Sequence, residues 1–167
     1  TLHSRSLIQQ RCNDAMEMMR ASLARDAVSA ARVEAALESA MRCFNDGFIF
    51  ALDERDDELY LGGLFSTAGS QSRENIARVS ASGSGALDPD WVPNANGAVE
   101  TIAAAEDGIY VGGSFAGMSS IGGANKNRIA RLDRGGTGQA DPAWDPDLDA
   151  TVRSIALQRD LVIIGGE

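Results

Sequence analysis

Three aspartates at alternate positions, Asp145, Asp147 and Asp149, with Asp141 close by, have the oxygen donors and spacing of a calcium loop. Pro146 interrupts them, Ala150 stands where such a loop needs glycine, and the acidic ligand at its end is missing. The matching stretch earlier in the chain reads Val92, Asn94, Asn96. A solvated acidic loop is therefore the preferred reading, with calcium as the alternative and no other cofactor expected. Arg78 and Arg131 each stand ten residues before an aspartate, Asp88 and Asp141. A repeated arginine–carboxylate clamp explains that spacing, and a ring of ligand-binding arginines is the sharper alternative. Trp91 and Trp144 offer aromatic faces on which a sugar would stack. A tryptophan that recurs once per unit is more simply a packing anchor.

Several chemistries lack their residues. His3 is the single histidine and lies at a terminus, so serine or cysteine nucleophiles have no natural base. No glycine-rich phosphate loop ending in Lys-Ser or Lys-Thr occurs. Cys12 and Cys43 form no C-x-x-C pair, imply no disulfide framework, and read as small apolar packing residues. An enzyme is not the favoured class.

Charge and glycine divide the chain near residue 47. All 18 glycines lie at or after Gly47. Residues 1–47 hold six arginines and six acidic residues, so the remainder carries the whole net charge of −9. That acidity repels phosphate backbones, and nucleic acid is not an expected partner. No apolar run is long enough to span a bilayer.

Residues 6–44 contain neither glycine nor proline and are rich in Ala, Arg, Glu, Met and Leu. Ile8, Cys12, Ala15, Met16, Met19, Leu23 and Ala27, and again Val33, Leu37, Met41 and Phe44, recur in steps of three and four. The spacing predicts an α-helical segment over 1–46, either one helix or a hairpin broken near Arg25–Ser29. Its apolar stripe would serve as cap, linker or assembly element.

From residue 47 the chain repeats itself. Leu59–Phe65 returns as Ile109–Phe115 and, cut short, as Val162–Gly166. Asn75–Val79 returns as Arg128–Leu132, and Leu87–Pro93 as Ala140–Pro146. The offset grows from 50 to 53 residues within the loop before Asn127. Each unit reads as four short strands. The first is Ile49–Leu52, an acidic turn at Asp57 follows, and the second strand runs into Gly62-Gly63. The third is Ile76–Val79, and the fourth surrounds Trp91 between prolines. Four strands in about 50 residues match a propeller blade. The expected fold is mainly β, with about two and a half four-stranded propeller-type blades behind the helical segment. The expected divisions are 1–46 for the helix, 47–98 and 99–151 for two repeats, and 152–167 for a partial third. Ending in mid-repeat, the chain reads as a fragment of a longer protein.

Tyr110–Phe115, Ile121-Gly122-Gly123, Asn127–Leu132 and Asp141–Trp144 resemble the motif of the bacterial delta-60 repeat proteins, over about residues 44–167. The first unit departs from it at Ser70-Gln71, where the second has Gly122-Gly123. The resemblance implies a propeller-like fold, and an extracellular or cell-surface bacterial protein. The expected function is a non-catalytic binding or scaffolding module with a protein or carbohydrate ligand. The alternatives are part of a propeller hydrolase acting on glycans, with its active site elsewhere, and an element that self-associates through its helix or open strand edges.

Overall fold

A computed structural model describes residues 47–81, 85–159 and 161–167. It contains ten strands: β1 (Phe48–Arg55), β2 (Glu58–Leu64), β3 (Thr67–Ala68), β4 (Gln71–Ser72), β5 (Ile76–Ser80), β6 (Val99–Ala104), β7 (Ile109–Gly113), β8 (Ile129–Leu132), β9 (Val152–Gln158) and β10 (Leu161–Gly166). Strands β1-β2-β5 form one antiparallel sheet and β6-β7-β8 its repeat, with β9-β10 as the opening hairpin of a third. We call these units 1, 2 and 3.

Two parts of the expected fold are corrected. The described residues contain strands and turns but no helix, so the architecture seen is all-β. The helical segment expected over 1–46 lies outside the described residues. The units of 47–98 and 99–151 were also expected to be four-stranded, and each sheet has three strands. The segment around Trp91 touches the ladder only through the bridge Val79↔Leu87, and that around Trp144 only through Leu132↔Ala140. Prolines 89, 93, 142 and 146 have no N–H to give a ladder. Asp88 also diverts two amides, accepting from the N–H groups of Asp90 at 2.8 Å and Trp91 at 3.1 Å. Asp141 does the same to Ala143 at 2.8 Å. Such local bonds win over strand pairing at these positions.

Glycine in the second strand sets how the units meet. A β-carbon on Gly112 would lie 2.5 Å from Val152 Cγ1 and 2.7 Å from Thr101 Cγ2. One on Gly62 would strike Val99 of unit 2. Thus the β2 backbone lies against β6, and the β7 backbone against β9. The second glycine of each pair, Gly63, Gly113 or Gly166, meets a carbonyl at the start of the paired first strand or just before it, beside the bulge where the register shifts. Close stacking fuses the cores. Tyr60, Ile76 and Trp91 of unit 1 share one cluster with Val99, Ile102, Val111 and Phe115 of unit 2.

The loop after the second strand also repeats more closely than its residues do. Gly69 and Ser70 have positive φ, as do Gly122 and Gly123. They make equivalent turns, so Gly69-Ser70, not Ser70-Gln71, matches the glycine pair. Between β3 and β4 this is a two-residue hairpin turn, which demands left-handed residues. The three added residues of unit 2 therefore precede Ile121.

Candidate functional site

The candidate residues form a cluster that occurs twice. In unit 1 the Trp91 ring packs edge-on against Tyr60, with centroids 5.3 Å apart and planes at 73°. Arg78 lies 5.5 Å above the Trp91 ring and donates to the Asp88 carboxylate through Nε, at 3.1 Å, and Nη2. In unit 2 Trp144 meets Tyr110 at 5.2 Å and 80°, and Arg131 pairs with Asp141. Arg131 also holds Asp107 at 3.0 Å, and Asp107 accepts from the Tyr110 hydroxyl at 2.8 Å. The arginine on the third strand and the aspartate at the start of the tryptophan segment thus close each unit with a charge-assisted bond.

The two copies differ in what lies outside them. Trp91 is fully buried. The turn at 133–138 of unit 2 covers it: Trp91 Nε1 donates to the Asp133 carbonyl at 3.0 Å, and Gly138 sits against the indole. Arg78 donates to the carbonyl of Arg134, whose own side chain reaches back to Asp56. Trp144 is only partly buried. A cavity of about 320 Å³ in unit 2 opens between Arg131, Asp107, Gln139 and Asp141.

A family model described as "Domain of unknown function (DUF5122) beta-propeller" matches residues 54–90. The repeat is of the β-propeller type. The match falls within the first repeat, and unit 2 reproduces its three-stranded sheet. No curated protein and no solved structure gave a match.

Within this propeller-type repeat the tryptophans face different fates. Trp91 has no face left for a ligand, whereas part of Trp144 is accessible. Each arginine is tied to the aspartate of its own unit, Arg78 to Asp88 and Arg131 to Asp141. Asp145, Asp147 and Asp149 do not converge. Asp145 lies 3.4 Å from Lys126 Nζ, and Asp147 accepts from Asn127 Nδ2 at 2.6 Å. Among the described residues no group of three acidic, histidine or cysteine side chains is placed to hold a metal ion.

A pair of buried cations escaped the sequence reading. Arg73 is 4% exposed and Lys126 2%. Arg73 donates to the carbonyls of Ser72 at 2.7 Å, Asp88 at 2.9 Å and Pro89 at 3.1 Å. Lys126 Nζ donates to the Trp144 carbonyl at 2.8 Å. Both therefore pin the tryptophan segment by its backbone, and burial pushes the Arg73 guanidinium down. Their spacing equals that of the tryptophans, a signal the sequence carried. Arginine and lysine do not look alike in a motif, and neither draws attention as an interior residue.

Burial works against an ionised Asp88, but Arg78 and the amides of Asp90 and Trp91 outweigh it and hold the carboxyl below its usual range. Arg131 and the Ala143 amide hold Asp141 low. A carboxyl lowered in the folded state adds stability that is complete above its unfolded value of about 3.9 and lost as pH falls through the folded one. Burial raises Asp53 and Glu58 instead, so each acts with the opposite sign, and stability is regained as pH falls through their folded values. Asp88→Asn should lower the urea midpoint at pH 7 and flatten the loss of stability below about pH 4 relative to the parent chain. Urea titrations at pH 3, 4, 5 and 7 read this; an acid limb as steep as the parent's would remove Asp88 from the account.

Proposed function

We propose that the chain is a non-catalytic β-propeller-type repeat module for binding or scaffolding. The observation that carries this reading is the recurrence of polar side chains with the same internal partners. Arg78 and Arg131 hold Asp88 and Asp141, and the cations Arg73 and Lys126 each hold carbonyls of the tryptophan segment. A side chain that recurs with its partner in each unit serves the unit. What varies is the loop after the second strand, at 66–73 and 116–127, where unit 2 has extra residues and Met118 is 84% exposed. Loops on a rigid β frame are where binding specificity is carried. Protein or carbohydrate is the ligand class this supports. The resemblance to delta-60 repeats supports a place in a larger secreted or cell-surface bacterial protein.

A glycan array and a panel of chromogenic glycosides, esters and phosphoesters test the reading together. Binding lost when 116–121 is shortened to the length of unit 1, without turnover, is the expected result. Turnover abolished by that same change would overturn it.

A further inference from the structure

We infer that the joint between units 1 and 2 tightens on acidification, with the Asp53 carboxyl as the group that takes up the proton. The inference goes beyond the binding role and is independent of what the loops at 66–73 and 116–127 hold.

Asp53 is a place where unit 1 departs from the repeat. It stands opposite Tyr60 on β2, whereas Ala103 and Ala156 stand opposite Tyr110 and Ile163. Paired residues share a face, so Asp53 lies with Tyr60 and Gly62 on the face that meets unit 2. Its Oδ2 accepts the Ala104 N–H of β6 at 2.7 Å, across the joint. Its Oδ1 accepts the Glu54 N–H at 2.9 Å. A carboxylate thus ties the first strand of unit 1 to the first strand of unit 2. The alanines of units 2 and 3 offer no such group at that position.

Two amides compensate poorly for a half-buried charge. The cation that acts on Asp53 is Arg55, two residues on, and the Arg55 Nε lies 3.6 Å from Asp56. Glu54 is the other charged neighbour on β1. β2 brings Tyr60 and Glu58, and Arg78 lies 3.8 Å from the Glu58 carboxylate. β6 turns Val99 and Ile102 to the joint, and its charged residue, Glu100, sits in the bulge between Val99 and Thr101. Beyond β6, Arg134 reaches Asp56 and the Glu106 carbonyl, and Asp107 is held by Arg131. Burial therefore outweighs the two amide bonds and Arg55, and the Asp53 carboxyl rises above its usual range. Proton uptake removes the charge, while one carboxyl oxygen still accepts from Ala104. A carboxyl raised in this way adds stability that is complete below its unfolded value of about 3.9 and lost as pH rises through the folded one. The Asp88 clamp within unit 1 has the opposite sign, so acid strengthens the joint while it weakens the clamp.

The test follows the Ala104 amide of the ¹⁵N-labelled chain from pH 7 to pH 3.5, in the parent and in Asp53→Asn. Ala104 is expected to titrate with a midpoint above about 3.9. That step should vanish in Asp53→Asn, which keeps an oxygen acceptor without the charge. The same variant should have a higher urea midpoint than the parent at pH 7, with the gain shrinking toward pH 3.5. Hydrogen exchange at the Trp91 indole N–H, bonded to Asp133 across the same joint, should slow in it at pH 7. Asp53→Ala removes the acceptor itself and should lower the urea midpoint at both ends of the range. An Ala104 midpoint at or below about 3.9 would overturn the inference. So would a step that persists in Asp53→Asn, unchanged exchange at Trp91, or an Asp53→Asn chain no more stable than the parent at pH 7. None of these measurements involves a ligand, so the binding reading stands or fails separately.

Discussion

Gly113→Ala is expected to cost about 3 kcal/mol or more, enough to leave a chain of ordinary stability largely unfolded in mild urea. The added methyl would be driven into the carbonyl oxygen of Ala98, a backbone atom immediately before the paired strand β6. It would also lie 3.1 Å from Val99 Cα, so no side-chain rotation relieves it. The bulge between Val99 and Thr101 brings the two backbones this close, and it recurs in units 1 and 3. Gly112→Val acts on a different contact, forcing β7 away from Val152 of unit 3. Gly123→Ala is the control. Its β-carbon would meet nothing within 4 Å, so only its left-handed backbone, at φ 72°, opposes the change. That should cost about 1 kcal/mol. Urea midpoints of the three variants should rank Gly123→Ala well above the other two. A Gly113→Ala chain as stable as the control would refute the close packing of glycine strands on which the fold rests.

Trp91→Ala is expected to destabilise by about 3–5 kcal/mol, the usual range for emptying a large buried aromatic site. It removes a ring fully enclosed by Tyr60, Arg78 and the turn of unit 2, together with the bond from Nε1 to the Asp133 carbonyl. Because that turn belongs to the next unit, the loss weakens the joint between units as well as unit 1. Trp144→Ala removes the same residue from the same repeat position. It should cost far less, about 1–2 kcal/mol, because part of that ring already meets water. Fluorescence gives a second measurement. In Trp91→Phe the remaining Trp144 should be open to acrylamide quenching, whereas in Trp144→Phe the remaining Trp91 should be protected. Equal quenching of the two variants would contradict the unequal burial.

The repeat, the glycine-paired second strand, the third strand and the arginine–aspartate spacing were all legible in the residues. Each depends on local pattern: alternation along a strand, glycine where a side chain has no room, and a fixed offset between partners. The fourth strand was misread because apolar residues between prolines look like an edge strand. Asp88 and Asp141 turn the amides of that segment toward themselves, and Arg73 and Lys126 grip its carbonyls from beneath. The equivalence of Gly69-Ser70 with Gly122-Gly123 was also hidden. A serine can adopt the left-handed turn, so backbone angle is shared where residue type is not.

Sequence alone thus determined the unit, because a repeating strand pattern is a local property that each segment states for itself. Tertiary structure decided which tryptophan is sealed and which is open. Trp91 and Trp144 have the same motif around them, and burial is set by the turn of a neighbouring unit some 40 residues away.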